Sequence, residues 1–139
     1  MKASLIYPQK VLIAWGEAIK GNKAIADWLM KNGYPELGLF CFAVRNNDDA
    51  REWLMKNGFP HLMAVINGAE GIKEAISWLE GHKFEALAKV AAAGDGDLEA
   101  YKWLKDRQQV ELCFIAKNIR DVKDMIEFDN NDPHRISRD

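Results

Sequence analysis

Trp28, Trp53, Trp78 and Trp103 stand 25 residues apart, and each is followed by leucine. A fixed internal period of this length describes a row of small, similar units, not a fold wrapped around one cleft. The copies run AIADWLMKNGYPEL from Ala24, AREWLMKNGFPHL from Ala50, AISWLEGHKFEAL from Ala75 and AYKWLKDRQQVEL from Ala100. A fifth, VKDMIEF from Val122, is degraded and about three residues early, with Met125 and Ile126 in place of Trp-Leu. Tyr7-Pro8, Tyr34-Pro35 and Phe59-Pro60 punctuate the units.

Each unit reads as two short helices. The second is clearest over Asp48 to Asn57. Asn47 and Asp48 can cap its free N–H groups, and its acids lie at the positive end of the helix. Gly58 follows where a left-handed residue is wanted, and Pro60 prevents continuation; Gly33 and Pro35 do the same, and Gly81 in part. Ala50, Trp53 and Leu54 share one face. The first helix of a unit is apolar on nearly every side, as in LGLFCFAV from Leu37, so it belongs inside, with the second helix outside. Short connections make the two antiparallel neighbours. One pair cannot hide its apolar faces alone, so pairs must stack. The expected fold is all-α: an α–α solenoid, a right-handed superhelix of about five antiparallel pairs. These are Gln9–Gly33, Glu36–Gly58, His61–Gly81, Glu85–Arg107 and Val110–Phe128. Residues 1–128 form one domain, and 129–139 a polar tail.

Val90 to Leu104 reads VAAAGDGDLEAYKWL. This resembles the ankyrin repeat, with Ala92-Ala93 for its alanine pair, Gly96-Asp97 for its Gly-His turn and Leu98 to Leu104 for its second helix. Lys56-Asn57-Gly58 is similar to the ending of that helix. The units are eight residues shorter than ankyrin repeats and lack the Thr-Pro-Leu-His start, so the missing length falls at the β-hairpin finger. The resemblance implies a stack of helix pairs and a binding role. It transfers no binding surface, because the fingers are part of that surface.

The net charge of −2 gives no general attraction to nucleic acid. No span or signal core stands out, since VLIAW is only five residues. The basic first 23 residues and acidic last 19 read as charged caps at the two ends of the stack. Two cysteines point to a reducing, cytoplasmic setting. Cys41 and Cys113 lie three units apart, roughly 25–30 Å for helices packed at about 8–10 Å, too far for a disulfide.

The tryptophans have a core address beside their leucines, and Met30, Met55 and Met63 read as core filler. Gly94-Asp95-Gly96-Asp97 is too short for a calcium loop and reads as a turn with Asp97 as N-cap. His61, His82 and His134 have no metal-ligand spacing, and no nucleophile motif or cofactor fingerprint occurs. The turns inside each pair change chemistry while the frame stays, so they form the expected partner-binding edge: Arg45, Asn46 and Asn47; Asn67 and Glu70; Asp95; Asn118 and Arg120. The expected function is a non-catalytic module that binds another protein, without cofactor, nucleic acid or membrane. The rivals are an enzyme with a site in the solenoid groove and a self-associating scaffold.

Overall fold

The computed structural model describes residues 7–130. They form nine α-helices: α1 (Gln9–Ile19), α2 (Lys23–Lys31), α3 (Pro35–Ala43), α4 (Asp48–Lys56), α5 (Pro60–Ala69), α6 (Lys73–Gly81), α7 (Glu85–Gly94), α8 (Leu98–Asp106) and α9 (Val110–Asn130). No strand occurs among the described residues. The first eight are four pairs, as the period requires. Of the expected tail, Asp129 and Asn130 belong to α9; residues 131–139 lie outside the described residues.

Two backbone devices repeat in phase. Gly21, Asn46, Gly71 and Gly96 have positive φ after each inner helix, and Gly33, Gly58, Lys83 and Gln108 after each outer one. A left-handed residue reverses the chain in a tight turn, at little strain for glycine and more for the others. Gly81 does not serve in this role: it is still within α6, and Lys83 takes the left-handed position at φ 68°. The outer helices start on Asn22, Asn47 and Asp97, whose side chains accept N–H groups of the first turn; α6 starts on Ile72 and has no such cap. At the other end, the residue four after each tryptophan meets its carbonyl oxygen. Asn32 and Asn57 donate through Nδ2 (2.8 and 2.9 Å), Arg107 through its guanidinium (3.3 Å), and His82 Nδ1 lies 2.8 Å away. The Trp28, Trp53 and Trp78 carbonyls also accept the backbone N–H of the same residue, so the side chain is a second partner that ties off the last turn.

Helices α3, α5 and α7 carry the core, with α5 buried at all positions but Pro60 and Asn67. Leu29, Leu54, Leu79 and Leu104 are fully buried. The tryptophans beside them are not: Trp28 is 42% exposed and the other three are half-buried. The leucine holds the core address, while the indole, one position earlier and about 100° around the helix, lies on the flank. There Trp53 stacks on Phe59, Trp78 on His82, and Trp103 lies under the Arg107 guanidinium. Met63 is core filler, but Met30 and Met55 are exposed.

The fifth unit is not a pair. Helix α9 is continuous for 21 residues. Asp121 stands where the left-handed residue would fall and Val122 where the cap would, so nothing breaks the helix. Nor do the terminal units cap free ends. Inner neighbours pack in the order α1, α3, α5, α7, α9, and α9 packs against α1. Asn118, buried on α9, donates to the Gly16 carbonyl (3.0 Å), and Gln9 donates to Glu111 (2.5 Å). Phe114 lies against Gly16, where a Cβ would come within 2.6 Å of the ring. Through α1, the inner helices of Cys41 and Cys113 are two steps apart, not three. Both cysteines are nevertheless buried and unpaired, as expected. Burial pushes the Cys41 thiol up to about 12, so it stays a thiol and packs as a small hydrophobe.

Candidate functional site

The inner helices α3, α5 and α7 end side by side, and the second half of α9 runs across their ends. Between them lies a cleft of about 450 Å³. Of the residues expected at the edge, Asn46, Glu70, Asp95 and Arg120 line this cleft together. They are exposed. Val44 and Ile126 supply apolar wall.

The other four sit elsewhere. Arg45 is half-buried and donates to the Ile19 carbonyl at the end of α1 (2.8 Å). Asn47 is a helix cap, accepting the Ala50 N–H (2.8 Å). Asn67 lies within α5, not in the turn. Asn118 is 3% exposed inside α9, where no turn forms, and bonds Gly16.

Sequence reading missed Arg51 and, because α9 was expected to bend, Lys123, Asp124 and Glu127. Arg51 donates to the Ala43 carbonyl (2.8 Å), to Asn46 (3.1 Å) and to Glu70 (2.7 Å). Lys123 donates to the Ala69 carbonyl and to Asp95 (3.1 Å), and Arg120 pairs with Asp124 (3.2 Å). Thus α1, α3 and α5 each end on a cation from another element, which suits the negative end of a helix. Arg51 was visible only as a base one turn into α4; nothing in its spacing tells that it turns back.

Packing displaces the titration of Tyr7 and His61. Burial, then the hydrogen bond to Glu36 (2.6 Å), raises the Tyr7 hydroxyl. Burial lowers the His61 imidazole, which stacks on Phe84 with centroids 4.9 Å apart. The cleft holds charged side chains and amides tied to one another and to helix ends by hydrogen bonds and ion pairs. Among the described residues no helix is long and apolar enough to cross a membrane, and no group of three or more His, Cys, Asp and Glu is placed to hold a metal. Comparison with protein-family models, with curated proteins and with solved structures gives no match.

Proposed function

We propose that this chain is a non-catalytic protein-interaction module of the cytoplasm, built of ankyrin-like helix pairs without fingers in a row that closes through α9 and α1 and not in an open superhelix. Its binding edge is the row of turns at the inner-helix ends. One observation carries this reading: Asn46, Glu70, Asp95 and Arg120, from three turns and α9, converge on one cleft. The turn backbone keeps its left-handed residue in phase, while the residue before it changes from Arg45 to Glu70 to Asp95. A constant frame that varies its exposed side chains is how repeat arrays distinguish partners.

The test is affinity capture with the intact chain, beside Glu70→Lys and Arg120→Glu variants whose melting curves match the parent. Loss of the same captured proteins from both variants is expected. Full retention by both refutes the edge. A second reading, self-association, is favoured by the exposure of Leu98, Val110 and Phe128. Light scattering over a concentration series decides it: a constant mass rules it out.

A further inference from the structure

We propose that the seam between α1 and α9 takes an amphipathic helix of a partner protein, with the alanine-x-x-aromatic-leucine pattern of the outer helices and acids in its first turn. The seam lies apart from the row of turns, so it adds a second surface to the interaction reading above.

The inner helices meet in five seams, and four are covered. Helix α2 packs against both α1 and α3, α4 against α3 and α5, α6 against α5 and α7, and α8 against α7 and α9. Because α9 does not turn back, no outer helix among the described residues covers the seam from α9 to α1. The repeat register shows which side chains this leaves open. Gly38 of α3 faces α2, since a Cβ there would run into Met30. The residues in phase with it are Met63, Ala88 and Cys113, each beside the outer helix that precedes it, and they are 7%, 1% and 7% exposed. The same position in α1 is Ile13, and it is 45% exposed. On the other side of the seam, Phe114 is in phase with Lys89, which lies over the Trp103 ring of the following outer helix (5.4 Å). Phe114 has no such helix to meet and is half-buried.

The four covered seams define the chemistry of an occupant, because the open one continues the same packing around the row. Each outer helix sends one leucine fully into its seam (Leu29, Leu54, Leu79 or Leu104), with the tryptophan one position earlier on the flank. An apolar stripe of this kind, laid in a groove between two helices, is a general mode of recognition. Charge agrees. Helices α4, α6 and α8 carry acids in their first turns, where an acid suits the helix dipole. At the end of the open seam where an outer helix would begin, Lys20 lies over the Phe114 ring (5.8 Å) and is only loosely paired with Glu17 (3.9 Å). Neither residues 1–6 nor residues 131–139 contain the alanine-x-x-aromatic-leucine pattern, which points to another protein as the source.

The probe is a labelled peptide of residues 47–58, held helical by a lactam between its Glu52 and Lys56, which form a solvent-facing pair one turn apart in α4 (2.7 Å). Fluorescence anisotropy with the full chain should show saturable binding; no saturation below about 1 mM overturns the proposal. Leu54→Asp in the peptide and Ile13→Glu in the chain should each weaken binding at least about tenfold. Lys20→Glu, a second variant that leaves the apolar seam intact, should weaken it about threefold by facing the peptide's aspartates. Ile72→Glu, at an isoleucine equally exposed elsewhere (46%), should change it less than about twofold. Equal weakening by Ile72→Glu would reduce the effect to net charge and overturn the proposal. Unchanged binding in Ile13→Glu would mean that the peptide replaces α4 in its own groove, which also overturns it. Tighter binding after Ile136→Asp would assign the seam to this chain's own terminal segment, and a dimer mass that Ile13→Glu reduces to a monomer would assign it to a second copy; either result overturns it. If the peptide fails while Glu70→Lys and Arg120→Glu still lose their captured proteins, the turn edge stands and the seam falls.

Discussion

Lys83 and Gln108 are two of the three non-glycine residues that the repeat holds in the left-handed region, the third being Asn46, and replacing both by glycine should stabilise the protein. Their φ angles are 68° and 58°, at the position that Gly33 and Gly58 occupy in the first two units at 94° and 88°. Holding a residue with a Cβ in the left-handed region costs roughly 1–2 kcal/mol. Glycine removes that cost but makes the unfolded chain freer, by roughly 0.5–1 kcal/mol. The difference favours glycine by about 0.5–1 kcal/mol at each site. Both side chains are exposed and make no hydrogen bond or ion pair among the described residues, so little else is lost. The sites lie in successive units without shared partners, so their effects should add, to about 1–2 kcal/mol. For a chain of this size each kcal/mol moves the melting midpoint by about 4 °C. Lys83→Gly/Gln108→Gly should therefore melt roughly 4–8 °C higher and shift the urea midpoint upward with unchanged slope. Lys83→Ala/Gln108→Ala removes the same side chains but keeps the Cβ, and should stay near the parent. A glycine variant no more stable than the alanine variant would refute the strain argument.

Two further outcomes follow from the packing. Gly16→Ala drives a methyl group into Phe114 and should cost about 1–3 kcal/mol in urea titration; Phe114→Leu in the same chain should restore part of it, and full stability of Gly16→Ala would mean that α1 and α9 yield easily. His61, whose pKa is lowered by burial, binds its proton less readily in the folded state than in the unfolded one. Its contribution is fully present above the ordinary imidazole value of about 6.5 and declines as pH falls through the lowered value. His61→Phe should flatten the urea midpoint against pH in that interval, and an unaltered slope would remove His61 as the cause.

The helix pairs, their turns and several caps were legible because they depend on local chemistry. Asn47 and Asp97 precede outer helices, and Pro35 and Pro60 begin inner ones. The indoles were not: Trp28 and Leu29 are adjacent apolar letters, and only packing decides which enters the core. The continuous α9 could have been read from Asp121 and Val122, which replace the breaker and the cap of earlier units. Its contact with α1 has no local signature, since Asn118 and Gly16 are ordinary residues until they meet. Half of the expected edge came together for a related reason. Asn46, Glu70 and Asp95 were found by phase alone, whereas Lys123 and Glu127 reach the cleft only because the last helix does not turn.

The bond between Asn118 and Gly16 spans 102 residues, and this changes how the molecule should come apart. In an open array each unit answers only to its neighbours, so unfolding can begin at either terminus and creep inward. With the first helix fastened to the last there is no such terminus. Loss of any one unit unfastens the seam and weakens all the rest, so denaturation should be a single step. Refolding should be slow for an all-helical chain, because the closing contact must wait until the whole length is ordered.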